Sequence, residues 1–159
     1  MAHVAVDSKR KDAMQLLLNT LALINGAGVY HYNLTGTNQI AFGADTDEQR
    51  LSQHDQTLRV YDGDEEHRMA EVTGGLFIAT LECIVELLLR GRTAASIIEE
   101  FNDLLSDVVL CIGANRLLGG TVHYAEVFRI EAPAYDFDSN TASALCIVRV
   151  VYEYEPGSA

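Results

Sequence analysis

The segment Asp136-Phe137-Asp138-Ser139-Asn140 comes closest to a ligand set in this chain. Its D-x-D-x-N spacing opens a calcium loop, in which alternate oxygen side chains converge on one hard cation. The pattern then stops. Thr141 stands where the sharp turn needs glycine, and Ile147 stands where a bidentate glutamate would close the shell. A solvated connection between two strands fits these residues better. Asp62, Asp64, Glu65 and Glu66 form a second acidic cluster, for which a solvated turn is again the simpler reading. No two of the histidines at 3, 31, 54, 67 and 123 have metal-ligand spacing. Cys111 and His123 could meet as nucleophile and base only in three dimensions. Cys111 lies in an apolar helical run, where a structural thiol is expected. Glu99 and Glu100 are neighbours on a helix and so point in different directions. Asn25-Gly26-Ala27-Gly28 follows a helix, the context of a helix cap and not of a dinucleotide loop. There is no G-x-S-x-G elbow and no Walker loop. These residues imply no enzyme, no cofactor and no metal.

Composition narrows the class further. A chain of 159 residues that is 48% hydrophobic and 21% charged is expected to fold as one domain, spanning 1–159, with a full core. The first residues, Met1 to Lys11, reach Lys9-Arg10-Lys11 before any apolar run and do not read as a secretory leader, which needs its basic region ahead of an apolar core of ~7–15 residues and then a small-residue cleavage site. No apolar stretch approaches the length of a membrane span. Cys83, Cys111 and Cys146 sit singly in apolar runs, which suits a reducing compartment. The expectation is a soluble protein made in a cytoplasm. Net charge is −12, with two lysines and dispersed arginines. That balance disfavours direct nucleic-acid binding, because no basic stripe is available to neutralise phosphates. An acidic surface could instead line a passage through which DNA slides.

The elements that must position these groups follow from periodicity. A helix is expected from about Asp7 to Asn25, with Met14, Leu17, Leu18, Leu21 and Ile24 on one face. Leu16 and Leu23 fall off that stripe. Val29 to Leu34 has the aromatic and β-branched content of a short strand, and Ile40 to Phe42 could continue its pairing. Residues 43–57 contain a single leucine and are expected to be a mobile loop. Leu58 to Tyr61 reads as a strand that ends in an acidic turn at 62–66. Phe77, Ala79, Leu81, Cys83, Val85 and Leu87 alternate with polar residues in a long strand. A second helix, from about Ala94 to Ile112 with Thr93 as N-cap, is expected to bury Ile97, Ile98, Phe101, Leu104, Leu105, Val108 and Ile112. Strands through 122–131 and 144–155 close the chain, joined by a polar connection from Tyr135 to Ser143, and 156–159 form a flexible tail. Leu145 and Ile147 make both faces of the last strand apolar near its start, so cover on both faces is expected there. The fold class is therefore α+β: a mixed or antiparallel sheet with two main helices packed on one face.

This succession resembles the tail terminator, or tail-completion, proteins of long-tailed bacteriophages. The resemblance is carried by the N-terminal helix leading to a short aromatic strand, the mid-chain polar loop and the long strand at 77–87. It continues through TAASIIEEFNDLLSDVVLCI, LLGGTVHYAEVFRI, the acidic YDFDSN connection and the closing ALCIVRVVYEYE. It implies a structural virion component of the tail-neck region, assembled in the host cytoplasm. Such proteins form a hexameric ring on the head-proximal end of the tail tube, stop its polymerisation and present a head-joining surface. Partners implied are further copies of the chain, the tail tube protein and a head-neck connector protein. DNA passes through the bore without specific binding, and no membrane is involved. Contacts to tube or ring are expected from the 43–57 loop (Asp45, Asp47, Arg50 and His54) and from Arg90 and Arg92 meeting a neighbour's acidic turn at Asp62 and Glu65. Another neck or tail-tube component is the nearest alternative. A small ligand-binding or enzymatic α+β domain is a more distant one.

Overall fold

The computed structural model describes residues 4–34, 39–40, 55–69, 77–120 and 122–154. Along the chain these form helix α1 (Val4–Leu21), strands β1 (Gln39–Ile40), β2 (Gln56–Met69) and β3 (Phe77–Arg90), helix α2 (Ile97–Ala114), and strands β4 (Tyr124–Ile130), β5 (Ala134–Asp136) and β6 (Thr141–Tyr154). The sheet order is β1-β2-β3-β6-β4, with β5 also on β6. β1 runs parallel to β2, and every other pair is antiparallel. The α+β class and the mixed sheet expected from the sequence are the observed ones.

Three fourteen-residue strands, β2, β3 and β6, carry the sheet. β4 and β5 follow one another along the outer side of β6. The residues between them include Pro133, which has no N–H to give to a ladder. On β3 the odd positions Ala79, Leu81, Cys83, Val85 and Leu87 are buried, and on β6 the even positions Cys146, Val148, Val150 and Tyr152. Both helices lie on this side. α1 contributes Ala13, Met14, Leu17, Leu18 and Leu21, and α2 contributes Ile97, Phe101, Leu104, Leu105, Val108, Cys111 and Ile112. The two helices touch where the Cys111 thiol donates to the Thr20 carbonyl at 3.2 Å. Burial pushes the Cys83 and Cys146 thiols up to about 12, so both stay protonated and inert.

Several boundaries differ from expectation. Helix α1 runs from Val4 to Leu21 and stops short of the expected end at Asn25. Helix α2 starts at Ile97 after Ser96, not after Thr93, and Ile98, expected in its buried stripe, is 46% exposed because it lies a quarter-turn from Ile97. The polar 137–140 segment is a hairpin turn between β5 and β6. The calcium-like Asp136 there accepts the N–H groups of Asp138 and Ser139 at 3.0 and 3.3 Å in an Asx turn, and the Ser139 side chain together with these backbone donors holds its carboxyl below the usual range. The strand expected at 29–34 is a loop, although Leu34 is fully buried. The N–H groups of His31 and Tyr32 that a ladder would have used go instead to Asp107, at 2.9 and 2.8 Å. Asp107 is 1% exposed and projects from α2. A carboxylate that accepts two main-chain donors satisfies them without a partner strand. Residues 1–3, 35–38, 41–54, 70–76, 121 and 155–159 lie outside the described set, and the expected mobile loop and tail fall largely there.

Candidate interaction faces

The first candidate face begins with a bulge in β2. Asp62 pairs with Cys83 and Glu65 with Leu81, so Gly63 and Asp64 together face Glu82. The acidic turn expected at 62–66 is therefore strand interior. Its carboxylates are carried by continued pairing to β3, whose apolar alternation outweighs the low strand propensity of the aspartates. Gly63 is required by close approach: a Cβ there would sit 2.8 Å from the Glu82 carbonyl oxygen. The extra residue shifts the alternation, so Glu65 turns to the helix side instead of the opposite one.

There Glu65 accepts a hydrogen bond from the Tyr152 hydroxyl. Its other oxygen lies 3.7 Å from Arg10 of α1 and 3.5 Å from the His67 ring. Arg10 also meets Asp62 at 2.7 Å. His67 in turn shares a 2.7 Å hydrogen bond with the Tyr154 hydroxyl. Burial, and then the hydrogen bond to Glu65, raise the Tyr152 phenol far above its ordinary range, so it remains a donor. The cluster ties α1 to the sheet end. Sequence reasoning missed it. The only available signal was the Asp62-Gly63-Asp64 break in an otherwise alternating run.

The second face is the side of the sheet opposite the helices, and no described element covers it. Across it the register aligns Arg59 with Glu86 and Leu145, Tyr61 with Ile84 and Ile147, and Glu82 with Arg149 and Glu126. Arg59 meets Glu86 at 3.0 Å, and the Tyr61 hydroxyl donates to the same carboxylate at 2.6 Å. Arg149 is 3.6 Å from Glu82 and lies 3.4 Å over the Phe128 ring. These long side chains lie along Ile84 and Ile147 while their heads reach water. Ile147 is buried and Leu145 half-buried, so the expected cover on both faces of β6 is supplied in part by cross-strand neighbours. Toward one end, Asp64, Glu66, Glu82 and Glu126 line a groove of about 260 Å³ with Thr80, Tyr124 and a single cation, Arg149. The face therefore presents a surplus of negative charge.

The remaining predicted contacts are placed as follows. Arg90 ends β3, and Arg92 follows it. Arg92 pairs with Glu100 of α2 at 2.9 Å, and Glu100 also accepts from the Arg92 N–H and from Ser96. Burial raises the Glu100 carboxyl, but these donors outweigh it and the net shift is downward. Within one chain Arg90 and Arg92 are not brought to Asp62 and Glu65. Asp62, Glu65 and Arg92 each have an in-chain partner instead. Asp45, Asp47, Arg50 and His54 lie outside the described residues. Among the described residues no three His, Cys, Asp or Glu side chains gather as a metal site, and no helix is long and apolar enough to cross a membrane. No protein-family model matches the chain, and no curated protein matches it.

Proposed function

We propose that this chain is a structural subunit of a phage tail: a tail terminator whose copies close into a ring on the end of the tail tube. The observation that carries the reading is the one-sided sheet. Helices cover one face, while the other is a wide polar wall with excess carboxylate around Asp64, Glu66, Glu82 and Glu126. Five strands at ~4.8 Å spacing make a wall roughly 24 Å wide. Six such walls around an axis enclose roughly 140 Å of perimeter, or about 45 Å across before side chains are subtracted. That leaves a bore wide enough for a DNA duplex. An acidic bore repels phosphates and lets DNA slide without sticking.

The N-terminal helix, long strand, amphipathic helix and closing strand on which the resemblance rests support the reading, whereas the short aromatic strand it also included is a loop. The groove is open and acidic, and small-molecule sites are usually concave and mostly apolar, which favours assembly over ligand binding. Ring closure uses a head-to-tail contact, in which two different surfaces of the chain meet. Tail tube on one side, a head-neck connector on the other and further copies of the chain are the partners proposed, with residues 43–57 as the docking segment for the tube.

The test is the mass of the purified chain with and without tail tubes, together with tube length. A ring at tube ends, and tubes of uniform length, are expected. A chain that stays monomeric with tubes present, and leaves their growth unchanged, overturns the reading.

A further inference from the structure

We propose that residues 25–33 form a latch on α2, held shut while a protonated His31 grips Asp107 and loosened when His31 loses its proton, so that opening uncovers the Cys111 sulfur. The segment is built as an Ω loop, a compact excursion whose two ends meet. Its neck is fixed. Ile24 and Leu34 are fully buried, the Leu34 N–H donates to the Ile24 carbonyl at 2.7 Å, and Asn25 bridges to Asn33. Beyond the neck, residues 25–29, 31 and 33 are exposed, and Tyr30 and Tyr32 are half-buried. The crown of the loop meets α2 at one carboxylate. Asp107 accepts the His31 and Tyr32 N–H groups and, at 3.0 Å, the Nδ1–H of the His31 ring. Among the described residues all of its hydrogen-bond donors come from this loop.

A buried carboxylate is tolerated only while it is paired and hydrogen-bonded. Lifting the crown removes all of these donors together, so Asp107 must meet water and the loop opens as a unit. Cys111 lies one helical turn beyond Asp107 on the same side of α2, and the Tyr30 hydroxyl donates to its sulfur. Opening therefore bares this thiol, while Cys83 and Cys146 stay sealed between sheet and helices. The His31 ring is 55% exposed, so its proton exchanges with water while the latch is shut. The hydrogen bond to Asp107 raises its pKa, outweighing partial desolvation, and Asp103 of α2 adds to the rise. Asp55, Glu100, Arg90 and Arg92 line the same groove, with Arg92 already paired to Glu100. Burial pushes Tyr30 and Tyr32 up to about 12, so both stay neutral. A group whose pKa is higher in the shut state favours that state. The support from His31 is complete below its ordinary value of 6.5 and is lost as pH rises through the raised one. The neutral ring still donates its Nδ1–H, so the latch loosens without being abolished. The inference does not rest on the proposed function.

The experiment is alkylation of the full chain by iodoacetamide from about pH 6 to about pH 8.5, with each cysteine read by mass spectrometry. Wild type is compared with His31→Gln and Asp107→Asn, and circular dichroism checks the folding of each. Taking rates relative to His31→Gln at each pH cancels the ionisation of the thiol itself. Cys111 is expected to react well ahead of Cys83 and Cys146, and about tenfold or more faster in Asp107→Asn. The wild-type rate relative to His31→Gln is expected to rise about twofold or more as pH increases. The His31→Gln series keeps the test valid should Asp107→Asn fail to fold. A Cys111 that reacts only in step with Cys83 and Cys146 overturns the latch, as does a folded Asp107→Asn with an unchanged Cys111 rate. A wild-type to His31→Gln ratio that stays constant across the pH range overturns the proton switch.

Discussion

The two faces of β3 are made by the same fourteen residues and obey different rules. Its odd positions from Ala79 to Leu87 are fully buried under the helices and contain no charge. Its even positions include Glu82 and Glu86, each paired across the sheet with an arginine in reach of solvent. Apolar burial holds the first face, at about 25 cal/mol per Å² removed from water. On the second, cross-strand pairs of a few tenths to ~1 kcal/mol hold side chains in register without demanding a dry interior. The difference shows which side of the sheet carries stability and which is free to serve an assembly.

That comparison can be broken most severely by placing one charge on each face. Val148→Lys puts an unpaired ammonium under the helices and is expected to abolish cooperative unfolding. Ile84→Lys, on the open face one strand away, is expected to cost roughly 1–2 kcal/mol or less in urea unfolding. Equal losses would mean the second face is also dry in the native state.

A smaller effect is expected at the bulge, the one place where a carboxylate crosses to the helix side. Tyr152→Phe removes the donor that Glu65 relies on and should cost about 1–3 kcal/mol, read from the urea midpoint. A loss under a few tenths would show that Arg10 and His67 satisfy Glu65 without the phenol.

The smallest effect sharpens the contrast at the sheet end. The Glu100 carboxyl is depressed in the folded chain, so its contribution is present above the unfolded carboxylate pKa and fades as pH falls through the lower folded one. Glu100→Gln should therefore lose about 0.2–1 kcal/mol at neutral pH, where the ionised carboxylate faces an Arg92 side chain that is largely in water. The wild-type advantage should disappear in acid, below the folded pKa. A difference constant from neutral to acid pH would remove the ion pair from the stability of this end.

Much of the fold was legible because it rests on periods. The α2 stripe from Ile97 to Ile112 and the alternation of β3 appear in the sequence as they do in the fold, since burial on one face forces a fixed spacing. The candidate faces were less legible. The alternation turns the polar residues of β3 to the side opposite the core, but the arginine partners of Glu82 and Glu86 lie 67 and 27 residues away and only the register unites them. Asp62 and Glu65 looked like a turn because aspartate and glycine favour turns locally. The pairing of β2 with β3 overrides that preference and converts the turn into a bulge. Tyr30 and Tyr32 looked like a strand because aromatic content favours strands. The carboxylate of Asp107, three-quarters of a hundred residues onward, captures the donors that a ladder would need.

By itself the sequence determined the class of fold, the two helix faces that enter the core and the acidity of the surface, because composition and period act through neighbouring residues. Only the tertiary structure decided that Glu65 faces the helices, that Asp107 is buried and that no described element covers one side of the sheet. Those outcomes depend on which distant strand or helix supplies a partner, and no local spacing encodes that.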